Sequence, residues 1–287
     1  MKKSAIPFIP CVAAFGLVIA SSLTVGAQTV IYSDNFNVAN TANFDTASLS
    51  GRLSGLNASA VVPQSGGYEE AISGNQMLIY GLNGGATGSG LSTEMRFGNA
   101  STPSSLFDWS SGAGGAAITA AGGMTVSFNW TAPDTTSGAW LSFCMGTLGD
   151  VTGTPTRVNN SSTDNGILFR NNGQTAIFNN GSAAGTALSI TPASVNHVIA
   201  ITYDFTSWAT GAPVTMSATE DGTLVGTDSF TWSHGAGSQY LDLQSRDQTA
   251  VVDNFTITTV PEPTTLAIVS IGLGLLVVTR RFRSQPV

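Results

Sequence analysis

Between Val30 and Ile257 the apolar residues of this chain recur at every second position, in short runs separated by glycine- and asparagine-rich turns. That period belongs to a strand with one face buried. No segment of the stretch holds a 3.6-residue apolar period over three turns, so long amphipathic helices are excluded as its scaffold. Met124-Thr125-Val126-Ser127-Phe128-Asn129-Trp130 is the clearest run, with large apolar side chains on one face and Thr, Ser and Asn on the other. Similar runs are Val30–Tyr32, Gln76–Tyr80, Ala139–Met145, Gly166–Arg170, Thr175–Phe178, Val198–Tyr203, Val214–Thr219, Thr223–Gly226 and Val251–Ile257. Asn172-Gly173 and Asp221-Gly222 lie between pairs of runs, and these dipeptides suit two-residue hairpin turns. Asn180-Gly181 marks a further turn.

Many short strands with closely spaced turns predict an all-β fold, an antiparallel β-sandwich of the jelly-roll kind. The glycine-rich stretches 83–90 and 110–123 read as long loops. Two neighbouring segments sharpen the expectation. His197-Val198-Ile199-Ala200-Ile201-Thr202-Tyr203-Asp204, followed by Val214–Glu220, Asp221-Gly222 and Thr223-Leu224-Val225-Gly226, resembles the paired strands of laminin-G and concanavalin-A-like domains. The likeness covers about 30 residues and lacks the usual aromatic before Val214. It implies a concanavalin-A-like sandwich.

The two ends carry a different message. Lys2 and Lys3 precede an apolar stretch from Ile6 to Val25, and Val25-Gly26-Ala27 is a small-residue cleavage site. Residues 1–27 therefore read as a signal peptide, cut between Ala27 and Gln28 by signal peptidase, with Cys11 discarded. At the other end stand Val260-Pro261-Glu262-Pro263, an uncharged run from Thr264 to Thr279, and Arg280-Arg281-Phe282-Arg283. As a helix, residues 264–279 would span about 24 Å, a little short of the ~30 Å hydrocarbon core. Flanking arginines relieve such a mismatch by snorkelling, and Arg280, Arg281 and Arg283 form a basic stop that stays cytoplasmic. The order of motif, apolar span and arginines resembles a PEP-CTERM sorting signal. That resemblance implies a bacterial envelope protein handed to an exosortase-type membrane enzyme, with Pro261, Glu262 and Pro263 as substrate residues. The expected organisation is a signal peptide (1–27), a β-sandwich ectodomain (28–259) and a sorting tail (260–287).

Composition limits the ectodomain's chemistry. It contains no lysine, and Arg52, Arg96, Arg157, Arg170 and Arg246 face 16 acidic residues, a balance near −11. Nucleic-acid binding needs clustered cations, so that partner is excluded. Cys144 is the one ectodomain cysteine, sits in Trp140–Met145, and reads as a buried apolar residue without a disulfide partner.

No catalytic pattern stands out. Glu69-Glu70 and Glu220-Asp221 are adjacent pairs, whose side chains diverge in a strand, and no Glu-x-Asp-x-Glu run places carboxylates across a glycosidic bond. His197 and His234 are the only histidines and are not at metal-ligand spacing; His197 reads as structural and His234 as a loop residue. The expectation is a non-enzymatic protein. Sugar binding would use aromatic platforms, and Trp109 and Trp208 are the candidates because each lies in a loop-like context; Trp130 and Trp140 read as core.

Asp34-Asn35-Phe36 and Asp253-Asn254-Phe255 repeat one tripeptide at the two ends of the ectodomain. If first and last strands are neighbours, a structural calcium between Asp34 and Asp253 would relieve the repulsion. The bland alternative is that each Asp caps a strand edge and each Phe enters the core. Three functions follow from the sequence: an exported, glycan-binding envelope or matrix protein; a structural surface-coat protein without a ligand; or a glycan hydrolase.

Overall fold

The computed structural model describes residues 28–40, 51–65, 70–80, 92–132, 139–146, 158, 163–190, 195–246 and 249–261. The expected signal peptide through Ala27, Glu262, Pro263, the span 264–279 and the arginine cluster lie outside these residues. No helix among the described residues is long and apolar enough to cross a membrane.

In chain order the elements are β1 (Val30–Asp34), β2 (Leu53–Ser54), β3 (Val61–Ser65), β4 (Glu70–Ser73), β5 (Gln76–Tyr80), β6 (Ser92–Asn99), β7 (Thr102–Leu106), α1 (Gly112–Ala121) and β8 (Gly123–Thr131). There follow β9 (Trp140–Met145), β10 (Asn165–Arg170), β11 (Thr175–Asn179), β12 (Ser182–Ala183), β13 (Thr186–Ala187) and β14 (Asn196–Asp204). The last are β15 (Pro213–Glu220), β16 (Thr223–Thr231), β17 (Leu241–Arg246) and β18 (Thr249–Thr259). The strands form two antiparallel sheets. Sheet A runs β13-β16-β15-β14-β8-β18-β1-β2, with the β4–β5 hairpin joined to β18 through β5; sheet B runs β12-β11-β10-β9-β17-β6-β3, with β7 on β6. The expected all-β antiparallel sandwich is thus the observed architecture.

The period-two pattern becomes the core directly. Met124, Val126, Phe128 and Trp130 of β8 and Ile199, Ile201 and Tyr203 of β14 face inward. They meet Leu141, Phe143 and Met145 of β9, Ile167 and Phe169 of β10, and Leu241 and Leu243 of β17. Burial of such side chains contributes about 1.5–3 kcal/mol each before entropy is counted. A polar thread also crosses between the sheets: Tyr203 Oη donates to Asn165 Oδ1 (3.0 Å), and Asn165 Nδ2 donates to Asp228 Oδ2 (3.0 Å). Burial raises the pKa values of both Tyr203 and Asp228.

The turns carry the backbone geometry that their residues suggest. Asp221 and Gly222 have φ of 53° and 76°, and Asn180 and Gly181 of 46° and 74°, so both connections use left-handed residues that match strand twist. The stretch 110–123 corrects the expectation of a loop, because it contains α1. Its glycines serve packing: a Cβ on Gly115 would collide with Ser110 O, and one on Gly114 would meet Asn57. The helix ends at Gly122 (φ 86°), whose N–H reaches the Ile118 and Thr119 carbonyls.

β1 and β18 are paired, with Asp34 opposite Phe255. The register of β18 against β8 shifts between Asp253 and Thr256, and Asn254 takes φ 51°. This bulge lets Val252 and Phe255, three residues apart, both point into the core.

Candidate functional site

The same bulge shapes a depression on the outer face of sheet A. β5 pairs with β18 as far as Val252, opposite Met77, whereas the β1 pairing begins at Phe255. Asp253 and Asn254 lie between these two pairings. Here Asp253 stands opposite Asn129, Asn129 opposite Val198, Val251 opposite Thr131, and Thr131 opposite Asn196. The depression has a volume of about 250 Å³, and Gln76 completes its polar rim. Thr131 Oγ1 donates to Asn196 Oδ1 (2.9 Å), and Asp253 Oδ1 accepts the Asn254 N–H (2.7 Å). Val198 is 57% exposed, against 48% for Leu56 and 44% for Leu224.

Elsewhere the outer face of sheet A is hydroxyl-rich. Thr125 Oγ1 and Thr202 Oγ1 pair across strands at 3.0 Å, and Ser33 Oγ and Thr256 Oγ1 at 3.3 Å. The depression differs in gathering amides, a carboxylate and an exposed apolar side chain.

A charged unit joins its lining through His197. His197 Nδ1 is 3.0 Å from both Glu220 Oε1 and Asp221 Oδ2, and His197 and Glu220 are buried. Asp221 Oδ1 also accepts the Val198 N–H (2.8 Å), fixing the start of β14. The Glu220 contact, then Asp221, raise the imidazole pKa above its ordinary 6.5 against the lowering effect of burial. His197 is structural, as its sequence context suggests.

The sequence-based sugar platforms are corrected. Trp109 is fully buried, edge-on to Tyr32, Phe97 and Phe107 at centroid distances of 5.7, 5.3 and 5.1 Å. Trp208 is only 6% exposed; it stacks on Trp232 at 5.6 Å and donates Nε1–H to Gly115 O at 3.2 Å. The neighbouring Ser, Asp and Gly residues suggest exposed loops, but these segments fold back over the sandwich edge and bury the rings.

The two aspartates of the expected calcium site have different surroundings. Asp34 is buried and its Oδ1 lies 2.9 Å from Arg52 Nε, so an arginine compensates it. It also accepts the Phe36 N–H (2.8 Å), and Tyr32 Oη donates to it (3.3 Å). Burial raises the Asp34 pKa, and Arg52 opposes the rise. Asp253 instead lines the outer depression. Among the described residues no three His, Cys, Asp or Glu side chains gather as a metal site.

Two further regions, one polar and one apolar, serve the fold. Asp164 is buried, accepts the backbone N–H groups of Ser233 (2.8 Å) and His234 (3.1 Å), and lies 3.0 Å from His234 Nδ1. Gln239 Nε2 donates to the His234 carbonyl, so this cluster ties down the loop between β16 and β17. On sheet B, β9 is buried on both faces, and Val158 packs with Trp140, Cys144 and Leu168 on the side away from the main core. Cys144 is therefore a buried thiol, as its apolar setting suggests.

No family model and no curated protein matches the chain. Solved structures with similar folds include a protein of unknown function with a galectin-like fold from Bacillus subtilis, at 12% identity and TM-score 0.42, covering 69% of this chain and 88% of that one. The potassium-bound carbohydrate recognition domain of Emp46p is 9% identical at TM-score 0.43, over 76% and 94% of the two chains. A legume lectin-like domain from Entamoeba histolytica is 8% identical at TM-score 0.42, over 70% and 90%. The assignment as an antiparallel β-sandwich rests on the strand pairing itself.

Proposed function

We propose that this chain is an exported bacterial envelope or extracellular-matrix protein, routed through an N-terminal signal peptide and a PEP-CTERM tail, whose sandwich binds glycan without turning it over. The observation that carries the routing is where the folded unit stops. Contacts divide the chain into Ala27–Glu262 on one side and Met1–Gly26 with Pro263–Val287 on the other. The two boundaries fall within a residue of the expected Ala27–Gln28 cut and inside Pro261-Glu262-Pro263. Both processing events would spare the sandwich. β18 ends at Thr259, the Val260 N–H is held by Gly123 O (3.1 Å), and Pro261 is exposed directly after it. A membrane-bound sorting enzyme of the exosortase type would meet its motif at the edge of a finished fold.

The glycan reading is supported by the outer depression, a concavity of convergent amides and one carboxylate. The test follows the full chain in a host that carries the sorting enzyme. Wild type is expected to lose both ends and reach the surface or matrix, while replacing Pro261, Glu262 and Pro263 by alanine leaves the tail attached in the inner membrane. Identical processing of the two would refute the routing. A surface chain that retains no polysaccharide would favour the structural-coat role, and release of reducing ends would make it a hydrolase.

A further inference from the structure

We infer that the depression on sheet A is a site for one neutral pyranose ring, with Val198 as its apolar platform and Asp253 as the residue that selects against acidic sugars. This inference rests on the glycan-binding reading and names the ligand class of that site.

Size comes first. A volume of about 250 Å³ accommodates roughly one sugar ring and little more. The lining matches a sugar's two kinds of surface. Asn129, Gln76 and Thr131 offer donors and acceptors for vicinal hydroxyls. Val198, 57% exposed and opposite Asn129 in the register, gives an apolar surface for the C–H face of the ring. Leaving a β-branched apolar side chain so open beside amides costs hydration free energy, which a ring seated on it would recover.

Charge sets the selectivity. The lining contains Asp253 and His197 and neither Arg nor Lys; the His197 Nδ1 lies 3.0 Å from both Glu220 and Asp221, so its charge is answered within the fold and an anionic ligand meets no uncompensated cation. Asp253 uses Oδ1 on the Asn254 amide, and among the described residues its second oxygen has no partner and can accept a sugar hydroxyl. Asp221, bonded to the Val198 amide, adds a second carboxylate nearby, with His197 held between it and Glu220. The ectodomain's excess of acidic residues extends the same negative field. Uronic acids, sialic acids and sulfated sugars are therefore disfavoured. Calcium is also a poor occupant, because it takes about 6–8 oxygens and the lining supplies one carboxylate.

The experiment uses the full chain in detergent on an array that pairs neutral oligosaccharides with their uronate or sulfated counterparts. Wild type is expected to retain neutral members at least tenfold better than acidic ones. Asp253→Asn should weaken neutral binding and narrow that ratio at least threefold; Val198→Ser should weaken neutral binding without changing the ratio. Both positions face solvent, so melting temperatures should stay at the wild-type value, and Thr215→Ala elsewhere on the same sheet should change nothing. Wild type that prefers acidic glycans, or an unchanged ratio in Asp253→Asn, overturns this inference and leaves glycan binding standing. Wild type that retains no glycan of either kind overturns glycan binding itself, and the inference with it.

Discussion

His197 occupies an inward position of β14, so its titration couples to folding rather than to a ligand. Its pKa is raised above 6.5 in the folded chain, mainly through Glu220. A raised imidazole pKa means that the fold favours the protonated ring. The stabilisation is complete below 6.5, the unfolded value, and is lost as pH rises through the folded value. The melting temperature is therefore expected to fall as pH rises above about 6.5, and His197→Gln should flatten that fall. Asp34, Asp204 and Asp228 are shifted up from 3.8 by burial, so their favourable effect begins to fade at more acid pH; the His197→Gln comparison separates the two windows. An identical slope in the variant would remove His197 from the account. Single residues were only partly legible in the sequence. That His197 is structural could be read from its place at the head of a β-forming run. That Arg52 would meet Asp34 could not, because no local pattern joins residues brought together only when β2 pairs with β1.

At the scale of elements, turn chemistry was the most readable signal, because Asn-Gly and Asp-Gly pairs act through backbone conformation that needs no distant partner. The helix α1 was not readable: a run of Gly and Ala has no amphipathic pattern, and its glycines answer to neighbours far away in sequence, such as Asn57. Gly123, at the start of β8, tests the same distinction. It has φ 144°, and a Cβ there would drive into the Tyr203 carbonyl of the adjacent strand. Gly123→Ala is expected to cost at least about 2 kcal/mol in urea unfolding. Gly222→Ala, at φ 76° with nothing within 4 Å, should cost about 1 kcal/mol. Equal losses would mean that strain in φ alone, without the steric contact, governs both sites.

Over the whole molecule, stability depends on rings that join the two sheets. Trp109 touches Tyr32 of sheet A and Phe97 of sheet B, and Phe255 meets Phe97 at 4.9 Å. Trp109→Ala should lower unfolding free energy by about 3–5 kcal/mol, read as a drop in the urea midpoint. A stable variant with normal melting and lost glycan retention would instead restore Trp109 as a binding platform. The sequence by itself determined that the sandwich is made of antiparallel strands, where many of them turn, and which residues of each run face inward, since period two and turn residues act within a few positions of the chain. The processing signals proposed for both ends were likewise read from linear motifs. Only the tertiary structure decided which aromatics are buried, which carboxylate is neutralised by Arg52, and where a surface depression opens. Those outcomes depend on a bulge at Asp253–Asn254 and on pairings between separate segments, from β1 with β2 to the far more distant β8 with β18, and such register is not written in any local stretch.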